Sequence, residues 1–235
     1  MNPIDTPKAL DDVLKAPTLD YASLPGQLFL NAELCHLLEE LESVAHRANT
    51  AGGTDDDETE AGTLLGFTSA SGGLSGLDVS VHQGSAFDPK TFTGGEIFDP
   101  STLSLGFRYQ GTVHSHPRRA TTDPMRSFSA IDMITVMLRS YRERVSIMVS
   151  GTEVHLLLCA DQVTVRLPGR ESSRIVVRSL EDLTSGTPGT LELDPAEIAP
   201  LSMGPQTVGA ITESASRLRF GYYTGTIGGP LTRRS

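Results

Sequence analysis

The chain has few cysteines and no long apolar run. Among its 235 residues are two cysteines, Cys35 and Cys159, which lie far apart in segments with the composition of a protein core. A disulfide would require the fold to bring them together, and two free buried thiols in a reducing compartment are the expectation. No stretch approaches the roughly 20 apolar residues of a membrane span, and the opening MNPIDTPKALDDVLKAP lacks the basic and apolar regions of a signal peptide. The sequence therefore predicts a cytoplasmic protein without membrane attachment.

Positive charge is also scarce. Lys and Arg total 19 against 29 Asp and Glu, which gives a net charge of −10. Proteins that bind nucleic acid or an anionic membrane surface need clustered positive charge, so neither is expected as a partner. Hydrophobic residues make up 38% of the chain and aromatic residues 6%, which is enough for the core of one domain of moderate size.

The order of apolar patterns predicts one α/β domain at 28–183. Its first element is a helix, NAELCHLLEELESVAHRA, in which the leucines have helical spacing and Asn31 is the N-cap. A hairpin around GGLSG, a strand ending at HSHP, a second helix beginning at SAID, the pair VSIMVSGTEVHLLLCA and a last strand, QVTVRL, follow in that order. Residues 1–27 are predicted to form an N-terminal arm. Residues 184–235 are predicted to form a Pro/Gly-rich extension whose final aromatic segment docks back on the domain.

The segment GTVHSHPRRATTDPMRSFSAID contains the residues with the clearest capacity to bind a metal ion or take part in catalysis. His114 and His116 are two apart, and on a strand this spacing places both imidazoles on one face. Ser129 and Asp132 form S-x-x-D before an apolar run, which is the pattern of a helix capping box and needs no further explanation when taken alone. The two interpretations are compatible, because a carboxylate at a helix start can join the histidines around one ion. Two histidines and one carboxylate leave a coordination position open, as in catalytic zinc sites.

These residues resemble the signature of the JAMM (also MPN+ or JAB) zinc metalloprotease family, H-x-H-P followed by S-x-x-D. The resemblance covers roughly residues 28–180 and suggests a prokaryotic, deubiquitinase-like member. It implies an MPN/JAB-like fold with a mixed, mostly antiparallel sheet flanked by helices. It also implies that His114, His116 and Asp132 bind Zn²⁺ and that Ser129 stabilises the oxyanion. The implied reaction is cleavage by metal-activated water after the C-terminal tail of ubiquitin or a ubiquitin-like protein, or of its conjugates.

The loop within the signature is longer than the family's. Eleven residues separate Pro117 from Ser129, and surface loops tolerate such insertions at little thermodynamic cost. Since the loop borders the predicted site, its residues Arg118–Phe128 are suspected of contacting substrate.

A glutamate is required by the family as general base, and its position is ambiguous in this chain. The family places it three residues before a G-x-x-x-G run, but three residues before Gly62 the chain has Thr59. A one-residue slip at the strand start brings a flanking glutamate into place. Glu60 is favoured, Glu58 is the alternative, and Glu96 is a remoter third. This residue would accept the proton of the attacking water and deliver it to the leaving amine.

Two other functions compete with this one. Relatives without metal ligands serve as inactive MPN-type scaffolds in ubiquitin-like conjugation systems, and the ambiguous glutamate keeps that alternative open. An amidohydrolase barrel also uses H-x-H, but it needs about 250 residues in eight βα units, which this chain does not provide. The other histidines, His36, His46, His82 and His155, are predicted to be structural or solvated.

Overall fold

A mixed β-sheet dominates the structure. The computed structural model describes residues 6–50, 59–68, 72–77, 82–85, 106–116, 127–129, 132–133, 136, 143–160 and 207–235. The strands within these ranges are β1 (Lys8–Ala9), β2 (Gln27–Phe29), β3 (Thr59–Phe67), β4 (Leu74–Gly76), β5 (His82–Ser85), β6 (Arg108–Ser115), β7 (Val145–Ser150), β8 (Glu153–Cys159), β9 (Phe220–Thr226) and β10 (Leu231–Arg233). The helices whose two ends lie in these ranges are α1 (Leu10–Lys15), α2 (Ala32–Thr50) and α3 (Val208–Leu218).

The strands follow the order β1-β2-β10-β9-β8-β7-β6-β3-β4, and β5 also pairs with β3. Two of the pairings, β1 with β2 and β6 with β7, are parallel, and the others are antiparallel. The predicted α/β class and the mixed, mostly antiparallel sheet are therefore confirmed. Within the described residues, helices flank less of this sheet than the sequence analysis predicted. None of the helices in the described ranges combines the length and the apolar composition needed to cross a membrane.

One face of the sheet packs against α1 and α2 and forms the larger core. Leu34, Leu38 and Leu41 of α2 are fully buried there, because residues three and four apart share one side of a helix. Each contributes about 1.5–3 kcal/mol through burial. The amide of Leu34 donates to Oδ1 of Asn31 at 2.7 Å, so the predicted helix and its predicted N-cap are both confirmed.

The opposite face of the same strands carries the candidate site. His114 of β6 has Met148 of β7 as its register partner, and Met148 in turn pairs with His155 of β8. Register partners lie on the same face of a sheet, so these three residues form one row. The helix α3 packs against β9 of this sheet, and its Ile211 and Ala215 are fully buried.

The sheet extends past both predicted domain boundaries. The predicted arm at 1–27 contains β1 and α1, and the predicted extension at 184–235 contains α3, β9 and β10, with β9 between β8 and β10. Phe220, Tyr222 and Tyr223 of β9 are fully buried, so the last aromatic segment docks on the domain, as expected. The predicted strand QVTVRL and residues 184–206 lie outside the described residues.

Two smaller expectations are also resolved. The predicted turn GGLSG holds strand β4 instead: Gly72, its first residue, has φ +61°, and Leu74 pairs with Phe67 and is fully buried. Both cysteines are free, as expected, although only Cys159 is buried and Cys35 is partly exposed.

Candidate metal centre

The two histidines lie at the end of β6. Gly62 of β3 pairs with His114 on one side, and on the other side the amide of His116 donates to the carbonyl of Val149 in β7 at 2.8 Å. Both imidazoles are buried. Strand alternation brings them to the same face, as predicted, and their ring centroids are 4.9 Å apart.

Asp132 reaches the histidines from the start of a helical segment that includes Met133 and Val136. The amide of Ser129 donates to Asp132 Oδ2 at 2.7 Å, and the amide of Asp132 donates to Ser129 Oγ at 3.2 Å. This is the reciprocal pattern of a capping box, so the predicted cap is confirmed. Phe128 and Met133 occupy the two positions of a hydrophobic staple around this cap, and both are fully buried.

Three side chains converge on one point. Nε2 of His114 lies 3.1 Å from Nε2 of His116 and 3.4 Å from Asp132 Oδ1. Nε2 of His116 lies 3.3 Å from Asp132 Oδ2. If both imidazoles donated from Nε2 to the carboxylate, their two hydrogens would face each other across the short nitrogen–nitrogen distance. A cation placed among the three groups removes this conflict, so the group could hold a metal ion.

Burial sets the protonation states that ligands need. Burial lowers the pKa of His114 to about 4; attraction to Asp132 opposes the shift, and His116 adds to it. Burial would raise the pKa of Asp132, but attraction to His114 and hydrogen bonds from His116 and Ser129 more than offset it and hold that pKa below its usual range. At neutral pH the site therefore presents a neutral His114 and an ionised Asp132, both with lone pairs available to a cation.

The hydroxyl of Ser129 is engaged within the site. It donates to Asp132 Oδ2 at 2.6 Å while its oxygen accepts from the Asp132 amide. A serine hydroxyl has one hydrogen, so in this structure Ser129 supports Asp132.

The structure describes only some of the residues predicted as general base or substrate contacts. Glu60 belongs to β3, where it pairs with Gly84 of β5. Glu58, Glu96 and the loop residues 118–126 lie outside the described residues. At the end of that loop, Phe128 is fully buried against the ring of His114, at 6.2 Å between centroids, so it is an interior contact.

Sequence reasoning missed two residues that adjoin the site. His155, predicted to be structural or solvated, is buried with its ring 6.4 Å from that of Phe128. Its Nδ1 forms a hydrogen bond of 2.6 Å with the hydroxyl of Tyr222. No local pattern could have found this pair, because it depends on the β8–β9 register.

Comparison of the chain with known protein families, curated proteins and solved structures gives no match.

Proposed function

We propose that the protein is a zinc-dependent peptidase or isopeptidase that cleaves after the C-terminal tail of ubiquitin or a ubiquitin-like protein. The observation that carries the proposal is the convergence of His114, His116 and Asp132 within a buried capping-box geometry. The substrate class rests on the resemblance of H-S-H-P and S-A-I-D to the JAMM signature, in which an extended tail binds as an added strand.

The donor set and the short separations within it favour zinc. A tetrahedral zinc ion with bonds of about 2.0–2.1 Å requires ligand atoms about 3.3–3.4 Å apart. The two Nε2 atoms are 3.1 Å apart, and each lies near a different oxygen of Asp132: that of His114 is 3.4 Å from Oδ1 and that of His116 is 3.3 Å from Oδ2. Two imidazoles and one carboxylate also match the donors that zinc prefers in hydrolases. When bound, zinc would supply Lewis acidity, which polarises a carbonyl and makes water nucleophilic at neutral pH.

The strand register supports Glu60 as the general base. Gly62 pairs with His114 in an antiparallel ladder, so these two positions share a face of the sheet. Residues two apart on a strand share a face, so position 60 is on the same face as both histidines. By the same alternation position 59 is on the other face, which agrees with Thr59 having no catalytic role.

Ser129 has a defined place in this reaction. To stabilise an oxyanion, its hydroxyl must turn away from Asp132 Oδ2, to which it donates at 2.6 Å. We therefore assign it first to holding Asp132 and secondly to the oxyanion, where a donor of this kind contributes about 3 kcal/mol.

Metal content and cleavage are the measurements that test the proposal. Elemental analysis of the wild type is expected to give about one zinc per chain, and His116→Ala is expected to lose it. A ubiquitin-like protein fused through its tail to a reporter serves as substrate. Glu60→Gln is expected to retain zinc and lose cleavage, whereas the matched variant Glu58→Gln keeps both.

The possible failures are distinguishable. Stoichiometric zinc without cleavage of any tail fusion would leave a metal site and refute the substrate class. Absence of zinc uptake would favour the inactive scaffold. Loss of cleavage in Glu58→Gln alone would transfer the general base to position 58.

A further inference from the structure

A row of aromatic rings connects the metal centre with the interior of the sheet. Phe128 lies between His114 and His155, at centroid distances of 6.2 and 6.4 Å. The ring of His155 stacks on that of Tyr222 at 5.9 Å. All four residues are buried, and Phe128 and Tyr222 have no exposed surface.

The hydrogen bond between His155 and Tyr222 fixes the inner end of this row. Nδ1 of His155 and the hydroxyl of Tyr222 are 2.6 Å apart. Burial lowers the pKa of His155 to about 4, helped by His116 and Arg234, and burial raises the pKa of Tyr222. Both groups are consequently neutral around pH 7, and loss of either would leave its partner buried without this bond, at a cost of about 1–3 kcal/mol.

Phe128 connects this pair with the ligand Asp132. It directly precedes Ser129, the residue whose amide and hydroxyl both bond to Asp132. The planes of the Phe128 and His155 rings meet at 84°, an edge-to-face geometry that aromatic pairs favour. A shift of Phe128 would therefore move the helix start that presents Asp132.

We propose that His155 and Tyr222 are positioning residues: their hydrogen-bonded pair holds Phe128, and Phe128 holds the capped helix start at Ser129 and Asp132. This inference rests on the proposed metal centre. The pair acts on that centre through Phe128, as outer contacts of metal ligands do in other proteins.

The chain contains a matched control for this proposal. Tyr223 follows Tyr222 on β9, is also fully buried, and its hydroxyl donates to the carbonyl of Pro25 at 2.8 Å. Adjacent strand residues lie on opposite faces, so Tyr223 belongs to the α2 side of the sheet. Tyr222→Phe and Tyr223→Phe each remove one bonded hydroxyl from a buried ring, and only the first lies on the face of the site.

Two readouts separate positioning from general stability. The first is the amide exchange rate of Asp132 and Met133 in metal-free protein, which reports the cap directly. The second is the affinity for Co²⁺, measured by titration together with the visible spectrum, which reports the coordination geometry. Tyr222→Phe is expected to speed exchange at both amides at least about threefold and to weaken cobalt binding about fivefold, less than direct outer contacts of ligands show. Tyr223→Phe is expected to lose similar stability and change neither.

A second variant keeps the proposal testable if Tyr222→Phe does not fold. His155→Asn keeps a polar atom near the position of Nδ1 but removes the ring that faces Phe128, and it is expected to shift both readouts in the same direction as Tyr222→Phe. Effects of Tyr222→Phe no larger than those of Tyr223→Phe would overturn the proposal. If the wild type takes up no cobalt, the proposed function fails, and the exchange rates alone decide whether the pair holds the helix start.

Discussion

At Ser129 a single hydroxyl supports Asp132, a predicted metal ligand, and is also the predicted oxyanion donor. The hydroxyl donates to Asp132 Oδ2 and accepts from the Asp132 amide. Ser129→Ala removes this N-cap and is therefore expected to lower the unfolding free energy by about 1 kcal/mol. Metal affinity is expected to fall about tenfold, as for other contacts that orient a ligand. Urea unfolding and competition with a chromophoric chelator measure the two effects.

Thr207→Ala is the control for this variant. Thr207 caps α3 by accepting from the amide of Ala210 at 3.1 Å, so its loss weakens a helix start far along the chain from the ligands. Similar loss of stability with unchanged metal affinity is expected. If Ser129→Ala lowers kcat and leaves metal affinity intact, the serine serves the oxyanion alone.

The buried imidazole of His155 is expected to make stability depend on pH. Its pKa is lowered from 6.5 to about 4, first by burial and then by His116 and Arg234. Between these values the unfolded chain binds more protons than the folded one, so the unfolding free energy falls as the pH falls from 6.5 toward 4. The slope from one such residue is at most about 1.4 kcal/mol per pH unit, and it vanishes above this window.

The contribution of His155 is isolated by difference. Urea unfolding of metal-free wild type and His155→Asn between pH 5 and 8 is the measurement, because the effect of His114 is common to both proteins. The wild type is expected to lose stability more steeply below pH 6.5. Parallel curves would mean that the folded protein accommodates a charged His155.

At the residue scale the sequence predicted that His114, His116 and Asp132 come together, and it did not predict the buried contacts beside them. His114, His116, Ser129 and Asp132 are separated by two or three residues within a strand or a helix start, so local geometry places each pair. The contact between His155 and Phe128 joins segments whose proximity depends on strand pairing, and no spacing along the chain encodes it.

Among the elements, the pair β6–β7 requires a glycine. A Cβ on Gly111 would lie 1.7 Å from the carbonyl oxygen of Val145 in β7. Gly111→Ala is therefore expected to separate the two strands that carry the site and to cost at least about 3 kcal/mol, the upper range for overpacking. Soluble yield and urea unfolding measure the loss.

Gly209→Ala provides the matched comparison. Gly209 is exposed in the first turn of α3, and an added Cβ would meet only Thr207 Oγ1 at 3.9 Å. Alanine has the higher helix propensity, so this variant is expected to gain roughly 0.5–1 kcal/mol. A Gly111→Ala protein as stable as Gly209→Ala would contradict the tight approach of β6 and β7.

Elements with a strong local signature were the ones that the sequence predicted well. The helix α2 has both a leucine stripe and the Asn31 cap. The turn between β7 and β8 is made by Gly151, whose φ of +62° is a conformation that glycine favours. Strand β4 was missed because its three residues, LSG, have the composition of a turn. Its strand state comes from the burial of Leu74 and its pairing with β3.

At the scale of the whole molecule, the two ends of the described chain pair with each other in the sheet. Leu28 of β2 pairs with Leu231 of β10, and both are fully buried. Residues so distant in sequence share no local pattern, which is why the sequence analysis assigned them to an arm and an extension. Composition indicated that the C-terminal aromatic segment would dock, but only the register shows that β9 and β10 complete the sheet.

Arg233 is expected to stabilise this pairing of β2 with β10. Its guanidinium donates to the carbonyls of Leu24 and Tyr21, each at 3.0 Å, and lies 4.6 Å from the centre of the Tyr21 ring. Arg233→Ala is expected to cost about 2–3 kcal/mol, since hydrogen bonds from a charged group and a cation–π contact are lost together. Arg233→Lys keeps the charge without the planar fork and is expected to recover only part of the loss.

The neighbouring Arg234 is the control that makes the test specific to the pairing of β2 with β10. Arg234 is exposed and its side chain donates to Thr224 Oγ1 at 2.7 Å, so Arg234→Ala removes the same charge at a cost of at most about 0.5–1 kcal/mol. Each variant also removes one trypsin site, so digestion can be compared directly. If Arg233 ties β10 to the segment before α2, cleavage after Lys15 accelerates in Arg233→Ala and not in Arg234→Ala. Equal cleavage and equal stability in the two variants would mean that β2 and β10 stay paired without the arginine. Burial of Leu28 and Leu231 would then be enough to hold the two strands together.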